Sequence, residues 1–423
     1  MDNYLSRLDK RLFGLIKRIS LLADRYKVSA YLAGGVVRDM FLGRDNFDFD
    51  VVIEGDAVFL ARRLAVEIKA AVVVHQKFGT AVIEAEGLGR IDFAAARKEY
   101  YPHPGELPVV RPGRIRDDLF RRDFTINAMA VAINGAGYGR LIDLFGGLDD
   151  LHAGKIRVLH EKSFIDDPTR IARAVRFEQR FSFRIERKTL SLLKTELAVN
   201  RDDKIRHRYF VELKKLLKEP NPPKCLKRLY YLGWLRFLDN NFCLDVRHFN
   251  RIHKNFISYR NRYNSKIDSP VLEMPLVYFI AMFEPVADDV FSSIRNRFHF
   301  TREEKKALLQ SRQSLDIIKR LSVPGLSPSR VYKMLSCLHI AVVIYLRLKV
   351  SSRLVLGYID RFLKRDRFIC LQIKGSDIEK MGTVSGRQVG RILDEILYQK
   401  IDGILHSKRD EINAARQMFK VRQ

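Results

Sequence analysis

LAGGVVRDMFLGRDNFDFDVV, residues 32–52, decides how the first part of this chain folds. In its second half Asp48 and Asp50 alternate with Phe47, Phe49 and Val51, and Val52 and Ile53 follow. That apolar, β-branched context predicts a strand, on which residues i and i+2 project from one face. Two carboxylates on one face are what a pair of Mg²⁺ ions needs. Such ions are hard cations that take oxygen ligands and keep water and substrate phosphates for the remaining positions. Upstream, Gly34-Gly35 lets backbone amides approach an anion closely, and Arg38 lies on the turn that follows. A lone pair of aspartates or of glycines is weak evidence. In this order, within one strand–turn–helix–strand unit, they predict a site for a nucleoside triphosphate and its metals.

The flanking sequence extends the pattern. Short β-branched runs recur at VVIE (51–54), AVVVH (71–75), AVIEA (81–85) and RIDFA (90–94), with an amphipathic helix over 56–69 and glycine-bearing turns between them. Residues up to about 150 therefore read as an α/β segment. Beyond Asp150 the strand signals nearly vanish. Long amphipathic stretches follow, such as RIARAVRFEQRF, IRHRYFVELKKLL and EEKKALLQSRQSLDIIKRL, punctuated by prolines at 219–223 and 323–329. The later part of the chain is expected to be mostly helical.

Composition points to a polyanion. Lys and Arg number 77 against 50 Asp and Glu, a formal net charge of +27. An excess this large signals nucleic acid first and anionic membrane second. The opening MDNYLSRLDK is polar and has no signal-peptide pattern, and the apolar run Ile340–Leu346 is too short to span a bilayer. A soluble cytoplasmic protein with no membrane partner is expected. Cys225, Cys243, Cys337 and Cys370 lack CxxC or CxxH spacing, so neither a zinc site nor a disulfide frame follows. They read as buried small hydrophobes in a reducing compartment.

Two further motifs carry chemistry. RRDFTINAMA (121–130) sets two arginines and an aspartate before an expected helix start, with Thr125 and Asn127 placed to bond backbone or ligand. Arg122 suits a triphosphate because guanidinium is a planar fork of donors that never deprotonates. Asp123 would accept from a ribose hydroxyl or fix the arginines, and a plain ion pair at a helix N-terminus would look similar. Asp92, at the expected end of its strand, is either a third metal carboxylate beside Asp48 and Asp50 or a turn and salt-bridge residue.

In FIDDPTRIARAVRF (164–177), Pro168 suits the first helical position, with Asp167 before it as N-cap. At about 100° per residue, Arg170, Arg173, Arg176 and Arg180 then fall within roughly 120° of one face. Such a row binds phosphates along its length and a base edge at its end, or else forms a solvated basic face. Ala172 and Ala174 keep the adjacent surface slim. KEYYPHPGELPVVRPGRIRDD (98–118) is too rich in proline to be regular throughout and is expected to be a loop. His75 and His103 read as structural or surface residues.

These motifs, together with DLFGGLDDLHAGKIRVL (143–159) and DDPTRIARAVRFEQRFSFRIE (166–186), stand in the order seen in class II tRNA nucleotidyltransferases, which they resemble. That group contains the CCA-adding enzymes and related bacterial poly(A) polymerases. YFVELKKLLKEPNPPKCLKRLYYLGWL (209–235) resembles its neck-to-body helices, and IKGSDIEKMGTVSGRQVGRILDEIL (373–397) its tail. The resemblance implies a polymerase-beta-like nucleotidyltransferase head with a mixed sheet over 1–150. A helical neck (151–220), body (221–322) and tRNA-binding tail (323–423) would follow.

It further implies that Asp48 and Asp50 hold two catalytic Mg²⁺ ions. Gly34, Gly35 and Arg38 would meet the triphosphate, and Arg122, Asp123 and Asn127 the phosphate and ribose. Asp167 and Arg170 would read the Watson–Crick edge, supported by Arg173 and Arg176. The family often has Glu-Asp at the head of the last motif, where this chain has Asp166-Asp167, so the role of Asp166 does not carry over. Residues 98–118 correspond to the family's flexible region, which couples pocket shape to the change from C to A addition.

The selectivity has a chemical basis of its own. A carboxylate accepts from the exocyclic amine of cytosine or adenine, whereas uracil and guanine present carbonyl oxygens there. An adjacent arginine supplies donors for cytosine N3 and O2 or for adenine N1. The expected activity is template-independent addition of C and A, from CTP and ATP, to tRNA 3′ ends. Basic and aromatic residues interleave at 257–266 and 360–368, as suits contacts to an RNA backbone, although solvated helix faces look alike. Alternatives are a CC-only or A-only enzyme, a poly(A) polymerase, a small-molecule nucleotidyltransferase, and an inactive RNA-binding protein.

Overall fold

A computed structural model of the chain describes residues 4–7, 10–44, 48–76, 79–85, 89–199, 203–262, 270–381 and 386–420, and of Asp48 the backbone. Phe47, residues 263–266 of the first basic-aromatic stretch and residues 382–385 of the tail-like segment lie outside them. The chain divides into two compact units, Met1–Phe237 and Leu238–Gln423.

In the first unit, α1 (Lys10–Arg25) precedes β1 (Ser29–Ala33), α2 (Gly35–Phe41) and β2 (Asp48–Glu54), which form the strand–turn–helix–strand unit anticipated above. Next comes α3 (Ala57–Ile68), started by Asp56, whose carboxylate accepts the Phe59 N–H at 2.9 Å. Its apolar face, Leu60, Ala61 and Leu64, is buried. The runs at 71–75, 81–85 and 90–94 become β3 (Ala71–His75), β4 (Thr80–Ala85) and β5 (Gly89–Ala95). Asp92 thus lies inside a strand, not at its end.

Residues 98–118 are more regular than their prolines suggest. β6 (Arg97–Tyr100) and β7 (Val109–Pro112) pair as an antiparallel hairpin, and α4 (Ile115–Phe120) follows, so only 101–108 and 113–114 are irregular. Pro112 is tolerated because it ends a strand of a two-stranded ribbon, where few ladder donors are needed. β8 (Met129–Ala132), β9 (Leu141–Asp143) and α5 (Gly147–His152) complete the α/β part. The seven-stranded sheet has the order β3-β4-β5-β2-β1-β8-β9. β2 and β5 run parallel and the other neighbours antiparallel, which makes the sheet mixed. In the parallel register Asp48 lies opposite Arg90 and Asp50 opposite Asp92. Phe49, Val51, Ile91 and Phe93 are buried, so the sheet core fixes both strands.

Helices then take over: α6 (Ser163–Asp166), α7 (Arg170–Phe181), α8 (Arg187–Leu197), α9 (Asp203–Leu216) and α10 (Pro222–Tyr231). α7 begins at Arg170 with Thr169 as its cap, two residues later than Pro168 would have set it. The first bonds there, Arg170 N–H to Asp167 O and Ile171 N–H to Pro168 O, span three residues, so a tight turn precedes the helix proper.

The described residues of the second unit form helices and no strand. It comprises α11 (Val246–Arg262), α12 (Pro270–Phe283), α13 (Asp288–Arg297), α14 (Arg302–Ser311) and α15 (Ser314–Leu321). α16 (Pro328–Ser336), α17 (Ile340–Lys349), α18 (Arg353–Lys364), α19 (Gly375–Glu379), α20 (Gly386–Ile401) and α21 (Lys408–Lys420) follow. Of the apolar run at 340–346, residues 341–346 are buried in α17. No single helix among the described residues is long and apolar enough to cross a membrane. Of the cysteines, Cys225 is buried on α10, whereas Cys243, Cys337 and Cys370 are exposed, contrary to expectation. Those three fall at a helix end or in connections, where the small side chain has no core to join.

Candidate nucleotide and metal site

The site grows from the sheet edge where β1 ends and β2 and β8 begin. Gly34, between β1 and α2, has φ 79°, and a Cβ there would overlap the Arg122 guanidinium. Glycine is required twice over, for the left-handed backbone and for the approach of Arg122. Gly35 opens α2, which carries the buried Arg38. Arg38 Nε and Nη2 donate to Asp39 at 2.8 and 2.9 Å, and Nη1 donates to Asn127 Oδ1 at 2.5 Å. Asn127 Nδ2 donates to Asp123 Oδ1 at 2.9 Å, and Asp123 Oδ2 accepts from Arg173 Nε and Nη2 at 2.8 and 2.5 Å. One unbroken relay of side chains thus joins α2, the segment before β8, and α7.

Electrostatics hold the relay charged. Burial raises the Asp123 carboxyl, but the Arg173 charge and the bonds from Asn127 and Arg173 outweigh it and bring the group down to about 2. Asp123 in turn raises Arg173. Burial lowers Arg38 and Arg176. Phe177 and Phe181 stack one helical turn apart and lie 5.3 and 4.7 Å from the Arg38 guanidinium, an aromatic floor beneath its charge.

The RRD segment does not start an α-helix. Thr125–Asn127 form a single 3₁₀ turn before β8, and the Thr125 hydroxyl donates to Asp150 at 2.6 Å instead of capping. Met129–Ala132 is buried inside the sheet, so strand pairing overrides the local helix signal. Arg170 is nearly fully buried, donating to Ser163 Oγ at 2.6 Å and to the Arg121 carbonyl at 2.7 Å. Asp167 Oδ1 accepts from Thr169 N and Oγ1 at 3.1 and 2.6 Å, a local turn in place of a helix cap. Arg176 lies 3.8 Å from Glu212 and 3.7 Å from Glu219, and its buried Nε has no hydrogen-bond partner among the described residues. Arg180 is exposed.

A cavity of about 1120 Å³ collects most of these groups. It is lined by Gly35, Arg38, Asp50, Asp92, Arg122 and Asp123, and by Asn127, Asp167, Arg170, Arg173 and Arg176. Asp50 and Asp92, opposed in register, give two hard oxygen ligands on adjacent strands, a donor set that fits Mg²⁺. Asp92 also accepts from Arg90 Nε and Nη2 at 2.9 Å each. His75 and His103 are exposed.

Sequence reasoning missed several residues of the site. Asp118, fully buried on α4, accepts from Arg121 at 2.7 Å on one oxygen and from Arg122 at 3.0 Å on the other. Burial opposes its charge, yet the two guanidiniums hold its carboxyl below the usual range. Its position, three and four residues before the arginines, was the available signal. Glu99 and Tyr101 on the hairpin also line the cavity, bonded to each other at 2.9 Å, and Arg208 reaches it from α9. Only the tertiary fold brings these three there.

Residues 30–157 match the poly A polymerase head domain. An A-adding tRNA nucleotidyltransferase of Geobacter sulfurreducens is 34% identical over 412 residues, 95% of this chain and 46% of that protein. An A-adding tRNA nucleotidyltransferase of Aquifex aeolicus is 52% identical over 165 residues, 39% of this chain and 20% of that protein. The chain spans half or less of the length of these curated relatives. A solved apo structure of a CCA-adding enzyme is similar over 98% of this chain and 97% of its own, with a TM-score of 0.73 and 30% identity.

Proposed function

We propose that this chain, which belongs to the class II CCA-adding family of tRNA nucleotidyltransferases, transfers nucleotides from CTP and ATP to the 3′ end of tRNA. The carrying observation is the relay Arg38–Asn127–Asp123–Arg173, which ties the glycine-turn helix to the arginine face of α7 around one cavity. A triphosphate and a base, held by two different elements, need such a rigid joint.

The reaction is an in-line phosphoryl transfer in which the RNA 3′-hydroxyl attacks the α-phosphate and pyrophosphate leaves. Asp48, Asp50 and Asp92 would hold Mg²⁺, which would supply Lewis-acid activation of the hydroxyl and neutralise triphosphate charge. Arg38 and Arg122 stabilise charge on the leaving pyrophosphate. Asp123 accepts four hydrogen bonds, from Phe124 N–H, Asn127 and Arg173, which favours the role of fixing the arginine over a ribose contact. Asp167 accepts the exocyclic amine of the base. Arg170 has donors left for the ring, because a guanidinium carries five N–H groups and its two bonds use two. The basic helical region docks the tRNA backbone, and the protein works in the cytoplasm. A narrower reading, addition of A alone, is favoured by the whole-chain likeness to an A-adding relative.

The deciding experiment is a product-length assay with Mg²⁺ on tRNA transcripts ending before CCA or after CC, given CTP, ATP or both. Two C then one A supports CCA addition, one A on the CC-ended transcript alone the narrower reading, and CC without A a CC-adding enzyme. A long A ladder on any RNA would indicate a poly(A) polymerase. No incorporation would overturn the catalytic proposal and leave RNA binding.

A further inference from the structure

Asp167, proposed above to read the base, does not hold its own orientation. Three donors converge on its Oδ1: Thr169 N, Thr169 Oγ1 and, at 2.7 Å, Arg208 Nη2 from α9. The Thr169 bonds are local and move with the turn. The Arg208 bond comes from another helix and fixes the carboxylate relative to the cavity wall.

The other arm of the same guanidinium reaches the hairpin. Arg208 Nη1 donates to the Gly105 carbonyl at 2.8 Å, at the tip between β6 and β7. Gly105 is buried with φ +75°, and a Cβ there would overlap the Ile205 side chain, one turn before Arg208 on α9. Its N–H donates to Ile165 O at 3.0 Å, on α6 just ahead of Asp167. The tip therefore lies flush on α9 and α6. The stem of the same hairpin enters the cavity through Glu99, whose Oε1 accepts from Arg97 at 2.7 Å and whose Oε2 accepts from Tyr101.

We infer that Arg208 is a specificity-positioning residue: anchored on the Gly105 carbonyl by one arm, it holds Asp167 with the other and aims the carboxylate so that the nucleobase amine meets Oδ2. This rests on the nucleotidyltransferase reading. A guanidinium suits the task because its rigid planar fork satisfies two acceptors at a fixed angle, which a lysine ammonium cannot do.

The test compares kcat/KM for ATP against GTP, and for CTP against UTP, on the tRNA acceptor that the wild-type protein extends. Arg208→Ala and Arg208→Lys are expected to lower the discrimination ratios by about 10-fold or more, the scale of a mis-set bidentate contact. Gly105→Ala, which displaces the carbonyl that anchors Arg208 while leaving the arginine itself in place, should move the ratios the same way, and combining it with Arg208→Ala should add little. Ratios unchanged while kcat falls equally for all four nucleotides would make Arg208 merely structural and overturn the inference. Thermal melting identifies a variant that fails to fold, and the remaining two variants then decide. If the wild-type protein itself incorporates nothing, the failure belongs to the proposed function instead.

Discussion

At the scale of single residues, the site is governed by buried carboxylates that stay ionised. Asp123 is buried, so its charge persists only while Arg173 and Asn127 bond to it. Its folded-state pKa, about 2, lies below the ordinary carboxylate value. The stabilisation is therefore complete above about pH 4 and disappears as pH falls through about 2. The shift corresponds to about 2 kcal/mol. Urea unfolding of the wild type and Asp123→Asn is expected to show a stability gap of that order at pH 5, narrowing at pH 3. A gap independent of pH would mean that Asp123 ionises alike in the folded and unfolded chain. Asp118 follows the same logic with two guanidiniums in place of one, and so sets both arginines of the RRD segment together.

At the scale of elements, α7 has two jobs on two faces. Ile171, Ala172, Ala174 and Val175 are buried in the core, while the arginines line the cavity. Phe177 and Phe181 mediate between the faces by stacking under Arg38. Phe181→Leu keeps apolar bulk but removes a ring face worth about 0.5–1 kcal/mol to the cation. It is expected to raise the nucleotide KM by roughly 2- to 5-fold with kcat nearly unchanged, as steady-state kinetics would show. A large fall in kcat with KM unchanged would contradict the floor role. Much of α7, β2 and the glycine turn was legible in the sequence, because periodicity, helix signals and glycine chemistry act over a few residues. What escaped was set by distant partners. The Thr125 hydroxyl bonds to Asp150, β8 is claimed by the sheet, and 97–112 folds as a ribbon because its ends pair. Arg208 and Glu99 carry no local mark of the cavity they reach.

At the scale of the whole molecule, the excess of 77 basic over 50 acidic residues matters for the partner more than for the fold. Displacement of counterions from tRNA phosphates is expected to make log Kd rise steeply with log salt concentration. Six contacts would give a slope of about 4 to 5. Filter binding between about 50 and 200 mM salt measures it, and a slope near zero would remove the basic surface as the docking face. The parallel pairing of β2 with β5 has a temporal meaning as well. Asp50 meets Asp92 only after α3 and the β3–β4 hairpin have been laid between them, and such non-local closure comes late because loop entropy must first be overcome. The acidic edge of the cavity is accordingly a late product of folding. Until β5 has paired, Asp50 lacks the carboxylate it faces, so the two arrive together with the strand that carries Asp92.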